Sequence, residues 1–227
     1  GVGIVVWNIV FADPRAGDAQ LGEALSAPGV AVMLAASASR DHEPRDRPPP
    51  SGLSAASQPL QAGQTAVPWS SFVLPVESLL GAAGPSVAVG VVTVELDPDG
   101  VLRRVPPWHE AHGRVLPAMA WASARALGQD GSPGRQQGVG LLPWHTHPGT
   151  VPTVPLSALF QPAGAEGHPV VAMAGKAVFI GSSALETGRL LTPGGERSGT
   201  AALAIAHAAL QQGRQLTPAG PGWVGAL

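Results

Sequence analysis

Val2-Gly3-Ile4-Val5-Val6-Trp7-Asn8-Ile9-Val10-Phe11 is the stretch on which the fold is read. It is apolar except at Asn8 and rich in β-branched residues, which suits a strand buried on both faces of a parallel sheet. Asp13-Pro14 ends it. Asp18 is placed to N-cap a short helix through Leu25, with Leu21, Ala24 and Leu25 on one face. Pro28-Gly29 closes that helix, and Val30 to Ala35 reads as a second buried strand. Strand, helix and strand at this spacing make a βαβ unit.

Beyond it, residues 37–65 lose this periodicity, pass through Arg-Asp-His-Glu-Pro-Arg-Asp-Arg-Pro-Pro-Pro, and read as a mobile surface insertion. Pro75 opens a short helix through Leu80, and Val87 to Leu96 is a further strand. Asp97-Pro98-Asp99-Gly100 is a turn signal, with Val101 to Val105 expected as the hairpin partner. Leu116 to Leu127 has helical spacing at Met119, Ala120, Ser123 and Leu127. Short extended stretches are expected at Val139 to Leu142 and Thr150 to Val154, then a helical turn from Pro155 to Phe160. Lys176 to Ile180 reads as a buried strand, and Thr200 to Gln212 as an Ala-rich helix ended by Gly213. A Pro/Gly-rich tail, 217–227, follows. The expected class is α/β, a mixed, largely parallel sheet flanked by helices with an added β-hairpin, in a single domain covering 1–227.

Composition narrows function mainly by exclusion. Of 227 residues 44% are apolar and 12% charged, with a formal net charge of −2. That near-balance carries no basic footprint for nucleic acid and no polybasic membrane patch. The absence of cysteine excludes disulfides, thiolate metal sites and cysteine nucleophiles. No apolar run reaches the ~18 residues a membrane helix needs. The abrupt entry into a core strand at residue 1 suggests a boundary within a longer protein.

Four blocks in order carry a resemblance. They are Trp7-Asn8-Ile9-Val10-Phe11-Ala12-Asp13-Pro14 with Asp18 and Leu21 to Leu25; Phe72-Val73-Leu74-Pro75-Val76-Glu77 with Val89-Gly90 and Asp97 to Val105; Leu116-Pro117-Ala118-Met119-Ala120; and Gly175 to Ala184 with Thr192-Pro193, Gly199, Ala204 and Gly213-Arg214. Together they resemble the CHASE family of bacterial extracytoplasmic sensor domains, specifically its second numbered class. The resemblance implies a periplasmic sensor that in the family has one more strand and helix before it and membrane helices on either side. It also implies a cytoplasmic output such as an adenylate or guanylate cyclase, a histidine kinase or a serine/threonine kinase. Three polar positions depart from the family's pattern: Asn8 and Arg189 stand where acids are expected, and Leu203 where a histidine is, with His207 one turn later. The departures put a family pocket in doubt.

Candidate site residues follow from placement. In an open α/β sheet, ligands bind outside the carboxyl ends of the strands. Ser182 and Ser183 follow one predicted strand, and Asn8 and Asp13 end or follow another, so all four are expected at one sheet edge. The serines either bind a small polar ligand or satisfy turn and cap donors. Arg103 and Arg104 point to opposite faces of an extended segment; one pairs with Asp97 or Asp99 or contacts a ligand. The resemblance adds Thr192 to the ligand-binding candidates. His145 and His147 share a face with zinc-ligand spacing, but no third ligand is evident. Lys176 precedes a strand, so Gly175-Lys176 is not a phosphate-binding loop. There is no Gly-x-Ser-x-Gly elbow and no His-Glu-x-x-His.

The expected role is a signal-input module, not an enzyme in itself, with no cofactor and no metal. Its partners are an unidentified small ligand or extracytoplasmic protein, a second copy in a homodimer, and the membrane through flanking segments; nucleic acid is not among them. The alternatives are a dimerisation or interaction module without a ligand and, behind it, a hydrolase using Ser182 or Ser183.

Overall fold

The computed structural model describes residues 2–27, 29–40, 52–83, 87–127, 140–144, 151–160, 173–182 and 188–216. In chain order its elements begin β1 (Ile4–Trp7), α1 (Asp18–Leu25), β2 (Ala31–Ser39), α2 (Leu53–Ala56), β3 (Gln58–Pro59), β4 (Val67–Pro68), β5 (Ser71–Val73) and α3 (Glu77–Ala83). They continue with β6 (Val87–Val91), β7 (Trp108–Ala111), β8 (Arg114–Pro117), α4 (Met119–Ala126), a 3-10 turn (Leu156–Phe160), β9 (Ala177–Ile180), β10 (Arg189–Thr192), β11 (Gly195–Ser198) and α5 (Gly199–Gln211).

The parallel core has the spatial order β6-β2-β1-β9. Alternate side chains divide its two faces. Ile4, Val6, Met33 and Ala35 pack with Met119 of α4 on one side. Trp7, Val32 and Leu34 pack with Leu25 of α1 and Leu79 of α3 on the other. Helices α1 and α3 therefore cross between strands on one face, and α4 crosses on the opposite face. The change of face between the β1 and β9 crossovers makes the gap between those two strands the topological switch point. The mixed α/β class and largely parallel sheet stand as expected. β5 adds an antiparallel pairing at the far end of β2, and β3-β8-β7-β4 form a second small sheet.

Several local expectations are corrected. The first strand is shorter than Val2 to Phe11, and that at Val87 stops at Val91. Asp18 is the first residue of α1, not its cap. It is buried, and its carboxylate accepts from the Arg15 N–H at 2.9 Å and the Ser78 hydroxyl at 3.2 Å, tying α1 to α3. The 37–65 stretch carries regular structure: Ser37 to Ser39 extend β2, and α2 is anchored by the buried Leu53. Residues 41–51 lie outside the described residues.

The Asp97–Gly100 turn forms, with Gly100 at φ +79°. Its second arm is not a hairpin strand. Leu102 N–H donates to the Leu191 carbonyl at 2.7 Å, and the Arg103 carbonyl accepts from Leu142 N–H at 2.9 Å. Leu102 and Val105 are drawn instead into the cluster beneath α4 and α5. The hairpins are β7–β8 and β10–β11. The first turns through His112 and Gly113, both at positive φ, as a two-residue hairpin turn requires. Helix α5 is capped by the Ser198 hydroxyl, which accepts from Ala201 N–H at 3.2 Å, and ends at Gly213 as expected.

Candidate functional site

The strands β1 and β9 run side by side in parallel, so the residues that follow them emerge at the same edge. Asn8 follows β1, and its backbone N–H donates to the Ile180 carbonyl at 2.7 Å. Gly181 and Ser182 follow β9. Across this gap sits the first turn of α5, where Thr200 links both: its hydroxyl accepts from Asn8 Nδ2 at 2.9 Å and reaches the Ser182 carbonyl at 3.4 Å. Gly181 must be glycine for this junction to close. A Cβ there would lie 2.3 Å from the Thr200 hydroxyl and 3.2 Å from the Asn8 Cβ.

Next to this junction is a cavity of about 90 Å³. Asn8, Gly199, Ala202, Leu203 and Met119 line it, with the chain just past β6 from Val91 to Val94. The strand-end rule thus brings Asn8 and Ser182 together as expected, but through Thr200, which the sequence reading did not single out. Thr200 lies in the first turn of α5, directly after Gly199. Two of the three departing positions meet here. Asn8 and Leu203 line the cavity, while Arg189 pairs across β10–β11 opposite Ser198 and forms an exposed ion pair with Glu196 at 2.6 Å.

Other candidates lie apart. Asp13 is exposed in the loop before α1. Thr192 is buried, and its hydroxyl donates to the Gly195 carbonyl at 2.7 Å, closing the β10–β11 turn. Arg103 forms a two-pronged pair with Asp99 at 2.8 and 2.7 Å and a further contact with Asp97 at 3.0 Å. The Arg103 hydrogen bond holds the Asp99 carboxyl at about 2, below its ordinary range. Arg104 reaches Asp97 at 3.5 Å. Lys176 is exposed just before β9. Ser183, His145 and His147 lie outside the described residues.

Two buried histidines were not foreseen as features of the core. His207 on α5 has its Nδ1 2.9 Å from the Ser123 hydroxyl on α4, and its ring packs T-shaped on Phe179 with the centroids 5.2 Å apart. Ser123 also donates to the Ala120 carbonyl at 3.1 Å, so the pair is satisfied when the neutral imidazole carries its proton on Nδ1. Both residues are enclosed, which leaves a substrate no approach to the serine. His109 on β7 accepts from the Trp69 indole at 2.9 Å, which places the ring proton on a buried Nε2 that has no partner. Desolvation lowers both histidines to about 4.

Among the described residues no group of acids and histidines is arranged to hold a metal ion, and no helix is long and apolar enough to cross a membrane. No curated protein and no solved structure matches the chain. The CHASE2 domain family matches residues 1–226. A match over that span, on a doubly wound sheet with its cavity at the strand ends, places this chain in the CHASE2 family of extracytoplasmic sensor domains.

Proposed function

We propose that the chain is the input domain of a bacterial transmembrane signalling protein, lies outside the cytoplasm, and binds a small ligand at the carboxyl edge of its parallel sheet. The observation that carries this is the convergence of Asn8, Thr200 and Ser182 beside a cavity at the switch point between β1 and β9. Membership of a sensor family supports the role.

A ligand alters signalling only by binding two arrangements with different affinity. Helix α5 is suited to carry the change, because its first turns line the cavity while Ala206 and Ala209 pack in the cluster shared with α4. On this reading Asn8, Thr200, Ser182 and Leu203 form the site. Flanking membrane helices pass the change to an output such as an adenylate or guanylate cyclase, a histidine kinase or a serine/threonine kinase. The test is thermal unfolding of the domain against a broad metabolite panel. A ligand at a hundred times its Kd raises the midpoint by about 5 °C or more. No shift from any compound overturns the small-ligand reading.

The 3-10 turn favours one second reading, a dimerisation module, since Leu156 and Phe160 are exposed on it at 58% and 82%. Sedimentation that shows a stable dimer, lost in Phe160→Ser, supports that reading.

A further inference from the structure

Resting on that ligand reading, we infer that the cavity takes a compact, uncharged, largely hydrocarbon molecule with one hydroxyl group, of the short-chain alcohol class. The lining decides this. Among the described residues no charged side chain faces the cavity, and the polar side chains that line it are Asn8 and Thr93. The Thr93 hydroxyl is committed at both ends: it accepts from the Ala38 N–H at 2.7 Å and donates to the Ala38 carbonyl at 3.3 Å. Asn8 Nδ2 gives one of its two N–H groups to Thr200. The other N–H and the side-chain carbonyl of Asn8, one donor and one acceptor, are the side-chain polar groups left to a ligand, and a hydroxyl can meet either.

Charge is disfavoured by the same inventory. An ion moved out of water needs a partner charge or several donors, without which the penalty is several kcal/mol. The arginines next in the chain to this lining, Arg103, Arg104 and Arg189, are engaged by Asp97, Asp99 and Glu196. Carboxylates, amines and phosphates are therefore disfavoured, and amino acids and nucleotides with them. Size points the same way. An apolar cavity of ~150 Å³ holds benzene; at about 90 Å³ this one holds a body of roughly four heavy atoms.

The test uses methyl NMR on the whole chain. Met119 lines the cavity, while Met173 lies outside its lining and serves as the reference. n-Butanol, butyrate and butylamine are titrated separately. The expected result is a saturable shift of the Met119 methyl with butanol, at least tenfold tighter than with either ion, while Met173 stays still. Ala202→Leu, which fills the cavity, abolishes the shift; Leu203→Phe serves as a second filler should the first misfold. Tighter binding of an ion, blocked by the same fillers, overturns the ligand class but keeps the site. A butanol shift that persists in both folded fillers, or moves Met173 equally, overturns the cavity as the place of binding. No response of Met119 to any of the three probes removes the class assigned here, while the metabolite panel still decides whether a small ligand binds at all.

Discussion

The two faces of the parallel sheet are closed by helix pairs in opposite ways. On one face α1 and α3 meet backbone to backbone at Gly22, where a Cβ would lie 2.5 Å from the Ala82 Cβ and 2.9 Å from the Leu79 carbonyl. The buried Asp18 carboxylate, bound to Ser78, ties the same two helices at their starts. On the other face α4 and α5 are joined by the Ser123–His207 hydrogen bond, and a cavity remains between them, the sheet edge and the segment after β6. A close-packed interface has one arrangement, because any displacement meets repulsion at once. An interface with a polar joint and a void has room for a second arrangement. On the proposed reading, the first face holds the sheet in place and the second responds to ligand.

The sharpest way to break this contrast is to enlarge one residue on each face. Gly22→Leu drives a side chain into the α3 backbone and is expected to destabilise by about 3 kcal/mol. Ala202→Leu adds three carbons to the cavity face, against four at Gly22, and is expected to change stability by less than about 1 kcal/mol. Urea unfolding of the two variants measures both; equal losses would mean that the faces are packed alike.

Acid acts through the two buried histidines. His109 and His207 sit at about 4 in the folded state against about 6.5 when unfolded, so the unfolded chain takes up their protons first. Their contribution is intact above pH ~6.5 and is lost as pH falls toward 4, by about 3 kcal/mol for each residue. His207→Leu is expected to remove about half of this slope, since Ser123 keeps its bond to the Ala120 carbonyl. Stability measured at intervals from pH 7.5 to 4.5 checks it, and an unchanged slope in the variant refutes the assignment to His207.

The smallest effect is expected at the junction. Thr200→Val removes the hydroxyl between Asn8 and Ser182 at the cost of about 1–2 kcal/mol. It also frees the Asn8 amide, so a ligand-induced midpoint shift should weaken beyond the loss of stability. A variant with lowered stability but an undiminished ligand shift would remove Thr200 from the site and leave it a structural tie.

Much of this architecture is legible in the chain because it is local. The apolar run around Ile4 to Trp7, the periodic helix after it and the buried strand at Val32 to Ala36 need only neighbours in sequence to be recognised. The same holds for the Ala-rich helix, its Gly213 stop and the Asp-Gly turn. The hairpin after that turn failed as an expectation because Leu102 and Val105 gain more by burial beneath α4 and α5 than a strand pairing offers. The β7–β8 hairpin is marked in the chain only by His112-Gly113, a weaker turn signal than Asp99-Gly100, because histidine favours positive φ less than glycine or asparagine does.

The strand-end rule located Asn8 and Ser182 at one edge from sequence alone, since it needs only strand direction. It did not supply what joins them. Asn8 and Thr200 lie 192 residues apart, and Ser123 and His207 lie 84 apart. Each pair exists because β9 inserts beside β1 and α5 packs on α4. Sequence by itself therefore determined the class, most of the elements and the family to which they belong. Tertiary structure alone decided the cavity, the need for glycine at 181 and the pairing of the buried histidines. Local propensity acts over a few residues, whereas these features depend on which distant segments the sheet order brings within a hydrogen bond's length.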